Sequence, residues 1–294
     1  MAKKIKTVGI VLAGGRGSRL YPSTKSISKQ LLPIYDKPLI YYPLSILMLA
    51  DIREILIICD KSQLNFYKDL CGDGSKLGIE ITYRIQENPK GIVDAFSIGE
   101  EFIGENNVCL VLGDNILWGQ GLSGMLLSCK KNLNGAKVFG YQVDNPEEFG
   151  VLNINRKGIA IDIDEKPTKP KSNFAVPGIY FYDNSVLQMS KKVKPSARGE
   201  LEITDLNKLY IRAKKLEFLS LGRGFAWLDT GSPELMLEAS NFVRTIEKRQ
   251  GTKIACLEEI AFKKGWVSKK SLVKYISNMP NSDYVNYLKK IILR

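Results

Sequence analysis

Near its amino end, the chain passes from a short apolar run into a turn rich in glycine. The run at residues 8–11 predicts a buried strand, and the turn at 12–20 contains Gly14, Gly15 and Gly17. Glycine allows positive φ and lets a ligand approach the backbone closely, and exposed amide N–H groups in such a turn favour anions. Four cations lie nearby: Arg16, Arg19, Lys25 and Lys29. The segment therefore predicts a triphosphate pocket, with a plain strand-to-helix turn as the alternative.

The turn matches neither of two common phosphate-binding loops. No Gly-x-x-x-x-Gly-Lys-Ser/Thr string occurs, and Leu20 stands where a dinucleotide-binding loop needs its third glycine. The nearby arginines and the segment 28–33 favour a functional loop over a purely structural turn.

The first 112 residues alternate between strand-like and helix-like segments. The pattern predicts these strands: 6–13, 54–59, 79–83 and 108–112. It predicts these helices: 39–50, 61–70 and 92–103. Such an order favours an α/β fold with a doubly wound, mostly parallel central sheet. Ligands in these sheets bind beyond the carboxyl ends of the strands, so the glycine turn and Gly113-Asp114-Asn115 should meet in space.

Beyond residue 135 the predicted strands become shorter. They are expected at 136–142, 150–154, 159–164, 176–182 and 216–221. Helices are expected at 204–213 and 233–248, followed by three short helices within 257–292. We therefore expect a core domain at 1–243 and a helical C-terminal extension at 244–294, packed on the core.

The chain contains no histidine, which excludes several kinds of active site. Triads with a histidine base and histidine-ligated zinc or iron are ruled out. The five cysteines are widely spaced and form no disulfide pattern. Cys59 and Cys109 lie in strand-like apolar runs, so we expect them to be reduced core residues. Any metal must then be bound by carboxylates, which favours Mg²⁺ or Ca²⁺.

The net charge of +12 first suggests nucleic acid or anionic substrates as partners. Residues 244–294 hold 12 Lys and Arg against 4 Asp and Glu, interspersed with apolar residues at helical spacing. This pattern is typical of solvated helix faces, and no nucleic-acid-binding motif accompanies it. We expect no nucleic-acid partner and no membrane span, and without a signal-peptide pattern at the first residues the expected location is the cytoplasm.

Two aspartates are candidates for a Mg²⁺ site. Asp114 follows a predicted buried strand, and Asp229 follows the apolar segment 225–228. The alternative is that Asp114 occupies an ordinary turn and Asp229 caps a helix, although Thr230 or Ser232 suits that cap better. Two carboxylates can hold one Mg²⁺ while phosphate oxygens and water complete its coordination.

Two further segments carry side chains suited to nucleotide and sugar phosphate. Glu165-Lys166 follows a predicted strand, where Lys166 could neutralise a phosphate and Glu165 could bind sugar hydroxyls; the alternative is a surface ion pair. Gln86 and Gly91 lie in a loop between a strand and a helix. An amide offers both a donor and an acceptor, which suits recognition of a pyrimidine edge.

These segments, together with Tyr35-Asp36-Lys37-Pro38, 198–205 and 224–231, resemble the motifs of the sugar nucleotidyltransferase family, in its thymidylyl branch. The resemblance extends from Gly9 to about Leu288. It implies a Rossmann-like nucleotidyltransferase fold, often assembled as a homotetramer. It also implies Mg²⁺-dependent transfer of a thymidylyl group from dTTP to glucose 1-phosphate, with release of pyrophosphate.

The resemblance implies three groups of ligand-binding residues. The nucleotide would be held by Gly14, Gly15, Gly17, Arg19, Lys29, Gln86 and Gly91. The sugar phosphate would be held by Gly150, Glu165, Lys166 and Val176. Mg²⁺ would be held by Asp114 and Asp229, with Trp227 supporting the metal loop. Charge screening during catalysis would fall to Arg19, Lys29 and Lys166.

Three positions depart from the family pattern. Asp94 replaces a usual glutamine, Phe149 replaces a usual tyrosine, and Gln120 occupies a common histidine position. The first two affect the residues near the nucleobase and the sugar. Three alternatives therefore stay open: transfer from UTP, transfer to another sugar phosphate, and a non-catalytic nucleotide-sugar sensor.

Overall fold

The computed structural model describes residues 5–15, 17–131 and 133–293, so Arg16 lies outside the described residues. The strands are β1 (Thr7–Ala13), β2 (Pro33–Ile34), β3 (Lys37–Pro38), β4 (Glu54–Cys59), β5 (Glu80–Ile85), β6 (Asn107–Leu112), β7 (Asn115–Gly119), β8 (Ala136–Gln142), β9 (Gly150–Ile154), β10 (Ala160–Glu165), β11 (Phe174–Ala175), β12 (Ile179–Tyr182), β13 (Leu216–Leu221) and β14 (Phe225–Asp229). The helices are α1 (Tyr41–Leu49), α2 (Leu64–Cys71), α3 (Asp94–Ile98), α4 (Glu100–Ile103), α5 (Leu122–Lys130), α6 (Val186–Ser190), α7 (Ile203–Arg212), α8 (Pro233–Gln250), α9 (Leu257–Lys263), α10 (Lys269–Ser277) and α11 (Asp283–Leu293).

A ten-stranded sheet forms the centre of the molecule. Its order is β10-β9-β11-β8-β12-β6-β1-β4-β5, with β13 paired to β8. Strands β6, β1, β4 and β5 are parallel neighbours, and β13 is parallel to β8. Strand β12 joins the two halves in antiparallel orientation, and β9, β10 and β11 extend the sheet antiparallel. The predicted α/β class with a mostly parallel sheet is confirmed.

Helices cover both faces of the parallel half of the sheet. Along β4, Ile55 and Ile57 pack in one apolar cluster, whereas Leu56 and Ile58 pack in the other. Successive side chains of a strand point to opposite faces. Because both faces are covered, every position of such a strand can be apolar, which is why the continuous apolar runs predicted the strands correctly.

Two predicted elements are divided in the structure. The strand expected at 176–182 is interrupted by Pro177 and begins only at Ile179, because proline has no N–H for the strand ladder. The helix expected at 92–103 breaks at Gly99, where an added Cβ would lie 3.0 Å from the Ile10 side chain. The sequence analysis also missed several elements: β2, β3, β7, β11, β14, α5 and α6.

The predicted division at 243/244 falls inside helix α8, which continues to Gln250. Ser232 caps this helix by accepting a hydrogen bond from Leu235 N at 3.2 Å, as the sequence indicated. The three short C-terminal helices are confirmed as α9, α10 and α11. The division into a core domain and an extension stays a prediction.

A buried group of charges connects this C-terminal part to the hairpin formed by β2 and β3. Lys37 Nζ donates to Glu247 Oε1 at 2.8 Å, and Lys253 Nζ lies 3.2 Å from Glu247 Oε2. Both lysines also contact Asp36. Two ammonium groups thus face two carboxylates, so the charges balance within the protein interior.

Cys59 and Cys109 are fully buried and reduced, as predicted. Among the residues that the structure describes, no helix is both long and apolar enough to cross a membrane.

Candidate active site

The glycine turn and the loop after β6 meet at the carboxyl edge of the sheet, as predicted. Gly113 N donates to Leu12 O at 2.9 Å, and Lys29 Nζ donates to Asp114 Oδ2 at 2.9 Å. Gly17 has a φ of 58°, the left-handed conformation that favours glycine. The turn therefore places its backbone beside a buried lysine and a carboxylate.

Asp114 and Asp229 lie close together because β7 and β14 pair in antiparallel register. Asp229 is opposite Asn115 in this pairing. Thr230 contacts both aspartates: its hydroxyl donates to Asp114 O at 2.9 Å, and its backbone N–H donates to Asp229 Oδ1 at 2.8 Å. The two predicted metal ligands are thus held by one residue.

The electrostatics of this pair favour a bound cation. Burial raises the pKa of Asp229, and the charge of Asp114 raises it further, whereas Lys29, the Thr230 N–H and Arg19 act in the opposite direction. Among the described residues, no cluster of three or more Cys, Asp or Glu side chains could hold an ion. An ion between the two aspartates would therefore take its remaining ligands from substrate oxygens and water, which suits Mg²⁺.

Arg19 extends toward the same carboxylate. A Cβ added at Gly231 would lie 2.7 Å from Arg19 Nη2 and 2.8 Å from Asp229 Oδ2. Both groups therefore approach the Gly231 backbone, and a side chain there would displace one of them. The exposed arginine and the buried Lys29 place two cations beside the aspartates.

Asn115 contacts Asp114, a structural role that the sequence analysis missed. Its Oδ1 accepts hydrogen bonds from Trp227 Nε1 at 2.6 Å and from Gly178 N at 3.1 Å. Its Nδ2 donates to Asp114 Oδ1 at 3.1 Å. Asn115 and Trp227 thus orient Asp114, and a polar residue directly after Asp114 at the end of an apolar strand was the available signal.

The predicted sugar-site residues lie together on β9, β10 and the segment after β11. Glu165 pairs with Gly150 across the two strands, and Val176 N donates to Gly150 O at 2.9 Å. Lys166 has a φ of 43°, and its N–H donates to Phe149 O at 3.0 Å. This left-handed conformation is uncommon for a residue with a side chain.

Glu165 is held by two residues that the sequence analysis did not single out. The Thr204 hydroxyl donates to Glu165 Oε2, and Arg198 Nη2 donates to Glu165 Oε1 at 3.2 Å. Arg198 also donates to Glu202 Oε1 at 3.0 Å. The segment 198–205, noted only as a motif, therefore lies beside Glu165 of the predicted sugar site.

Tyr180 on β12 links the metal region with the sugar region. Burial raises the pKa of its hydroxyl, and the charges of Glu165 and Asp114 raise it further. The charges of both carboxylates thus act on the same buried hydroxyl. The aromatic rings of Phe149 and Trp227, 4.9 Å apart, also bring the two regions together.

Of the two residues predicted to bind the base, Gln86 lies against the glycine turn and Gly91 lies against Leu201. A Cβ added at Gly14 would lie 2.4 Å from Gln86 Oε1, so the amide packs directly against this glycine. Gly91 has a φ of 109° and contacts the backbone of Leu201. Gly15 is exposed, with open space where a side chain would be.

A large groove of about 1490 Å³ lies at the opposite, amino-terminal edge of the sheet. It is lined by Thr7, Glu54, Glu80 and Asn107, and none of the predicted site residues contributes to it. The candidate active site is therefore identified by its charged side chains and not by the size of a cavity.

The family model for nucleotidyl transferases matches residues 8–246. The chain belongs to this family. It is 54% identical over 284 residues to glucose-1-phosphate thymidylyltransferase of Neisseria meningitidis serogroup A, with 97% of this chain and 99% of that protein covered. It is 48% identical over 286 residues to the enzyme of the same name from Mycobacterium tuberculosis, with 97% and 99% covered.

A solved structure of UDP-glucose pyrophosphorylase with UDP-glucose is also similar. It has a TM-score of 0.71 and 26% identity, and the match covers 82% of this chain and 99% of that one. This chain is thus an enzyme with the nucleotidyltransferase fold.

Proposed function

We propose that this protein transfers the thymidylyl group of dTTP to glucose 1-phosphate, forming dTDP-glucose and pyrophosphate. The observation that carries the proposal is the convergence of Lys29, Asp114, Asp229 and Arg19 on the glycine turn. The names of the similar enzymes from Neisseria and Mycobacterium support this choice of substrates.

In the proposed reaction, a phosphate oxygen of glucose 1-phosphate attacks the α-phosphorus of dTTP, and the bond to pyrophosphate breaks. The nucleophile is already an anion at neutral pH, so no protein base is needed. The difficulty is to bring two polyanions together, and fixed positive charges reduce that cost. Lys166 would hold the sugar phosphate, while Lys29 and Arg19 would screen the triphosphate.

Asp114 and Asp229 would hold Mg²⁺, which when bound neutralises phosphate charge. Asn115 and Trp227 keep Asp114 oriented for this task. Gly150, Glu165 and Val176 would surround the glucose ring, while Gln86 and Gly91 would contact the thymine. Gly14, Gly15 and Gly17 would present backbone N–H groups to the phosphates.

A second candidate is transfer from UTP, favoured by the structural similarity to UDP-glucose pyrophosphorylase. A panel of dTTP, UTP, dCTP and several sugar 1-phosphates, assayed by pyrophosphate release with Mg²⁺, separates the candidates. We expect the highest kcat/KM with dTTP and glucose 1-phosphate. Binding without pyrophosphate release for every pair would instead support a nucleotide-sugar sensor.

We further propose that the protein assembles as a homotetramer and acts in the cytoplasm without nucleic-acid or membrane partners. Sedimentation equilibrium of the purified protein tests the assembly, and a monomer at micromolar concentration would contradict it.

A further inference from the structure

The Gln86 side chain is held in one orientation by Asp94. Gln86 Nε2 donates to Asp94 Oδ2 at 3.2 Å, while Gln86 Oε1 lies against Gly14. Within residues 5–15, 17–131 and 133–293, this oxygen accepts no hydrogen bond. Gln86 is 5% exposed, so its amide is a nearly buried group beside the glycine turn, and its Oε1 has no hydrogen-bond partner among the residues that the structure describes.

An aspartate imposes this orientation more strictly than an amide would. An ionised carboxylate only accepts hydrogen bonds, so the group facing it must be the NH₂ of Gln86. Rotating the amide by half a turn would place Oε1 against Asp94 Oδ2, and two acceptors at that distance repel each other. With glutamine or asparagine at position 94, either orientation could form a hydrogen bond.

We propose that Asp94 is a positioning residue that makes the base site selective for a nucleobase with an N–H facing Gln86 Oε1. This inference rests on the proposed function. Thymine and uracil both have an N3–H at the Watson–Crick edge, whereas cytosine has an acceptor N3 there. Asp94 therefore excludes cytosine without separating thymine from uracil.

The expected size of the effect follows from the mismatch that cytosine creates. Its N3 would leave Gln86 Oε1 unpaired and would place two acceptors opposite each other in a nearly buried site. A site that hydrogen-bonds one substrate discriminates strongly against the analogue without that group. We therefore expect the ratio of kcat/KM for dTTP to that for dCTP to fall about tenfold or more when the orientation is released.

Three variants test the proposal by pyrophosphate release with glucose 1-phosphate. Asp94→Asn has nearly the same shape but can donate to Gln86 Oε1, so the amide can rotate and the dTTP:dCTP ratio should fall. Gln86→Glu places two carboxylates opposite each other, and their repulsion should displace the oxygen that faces the base, so this variant should also lower the ratio. In the double variant, which combines Gln86→Glu with Asp94→Asn, the new amide at position 94 can donate to the new carboxylate at position 86. The second oxygen of that carboxylate again faces the base, so selectivity should recover.

Asp283→Asn is a matched control, because Asp283 also begins a helix but lies in α11, outside the site. Its ratio should equal that of the unmodified protein. Equal losses of kcat/KM for both nucleotides in Asp94→Asn would show a purely structural role and overturn the proposal. A double variant no more selective than Gln86→Glu, or equal use of dCTP by the unmodified protein, would also overturn it.

The failure of the proposed function gives a different result. In that case the unmodified protein releases no pyrophosphate from dTTP and glucose 1-phosphate. If the unmodified protein does release pyrophosphate from this pair, and Asp94→Asn keeps the original dTTP:dCTP ratio, only the inference about Asp94 fails.

Discussion

Replacing Asp229 with asparagine should stabilise the protein while it reduces activity. The carboxylate is largely buried and lies near Asp114, and both factors raise its pKa. Asparagine has the same shape, and its Oδ1 can still accept the hydrogen bond from Thr230 N. The substitution therefore removes a buried negative charge without removing a hydrogen bond.

The stability gain should be about 1 kcal/mol at pH 7, the usual size when an unfavourable active-site group is replaced. For a chain of this length, that corresponds to a rise in Tm of about 2 °C. The kcat should fall about a hundredfold, the loss found when one stabilising transition-state contact is removed. Thermal unfolding must be measured with EDTA, because bound Mg²⁺ would stabilise the unmodified protein alone.

The stability difference between Asp229→Asn and the unmodified protein should depend on pH in a definite direction. A carboxylate whose folded-state pKa is raised binds its proton more tightly in the folded state, so it destabilises the folded protein at high pH. As the pH falls through the raised pKa of Asp229, the unmodified protein becomes protonated there, and the advantage of Asp229→Asn should shrink.

Asp73→Asn is a control for which the expected change in Tm has the opposite sign. Asp73 is exposed, and its pKa is lowered by hydrogen bonds from the Ser75 hydroxyl and backbone N–H. Asparagine there should lower Tm at pH 7. The reasoning about Asp229 is refuted if Asp229→Asn is no more stable than the unmodified protein at pH 7, or if its advantage grows on acidification.

Three further predictions concern the metal, the sugar phosphate and the buried charges. Excess EDTA should abolish pyrophosphate release and added Mg²⁺ should restore it; full activity in EDTA would contradict the metal site. Lys166→Ala should lower kcat/KM for glucose 1-phosphate about a hundredfold with little change in dTTP binding, measured by calorimetry, and an equal loss of both would indicate misfolding. Glu247→Gln should cost about 3 kcal/mol in urea unfolding because Lys37 and Lys253 lose one of the two carboxylates that they share. A change within about 0.5 kcal/mol, as at ordinary surface positions, would contradict that role.

Strands that are buried on both faces could be predicted from local pattern alone. Residues 55–59 and 108–112 are continuous apolar runs, and both form parallel strands beside β1. The same pattern could not reveal β7 and β14. Their pairing joins residues about 110 positions apart, and no local periodicity encodes which distant segment a short strand contacts.

In the candidate site, too, some residues could be predicted from local pattern and others could not. Asp114, Lys29 and the glycines could be predicted because each follows a recognisable strand or turn. The roles of Asn115, Thr204 and Arg198 depend on partners elsewhere in the chain, namely Trp227 and Glu165. A hydrogen bond between side chains requires both elements to be placed, so these residues could not be assigned beforehand.

The amino-acid sequence by itself determined the α/β class, the absence of histidine chemistry and the carboxylates available for a metal. These properties follow from residue types and from the period at which apolar side chains recur. Only the tertiary structure decided that Asp94 faces Gln86, that Thr230 holds both aspartates and that Thr204 and Arg198 hold Glu165. Close contacts between residues far apart in the chain arise from packing, and packing is a property of the whole fold.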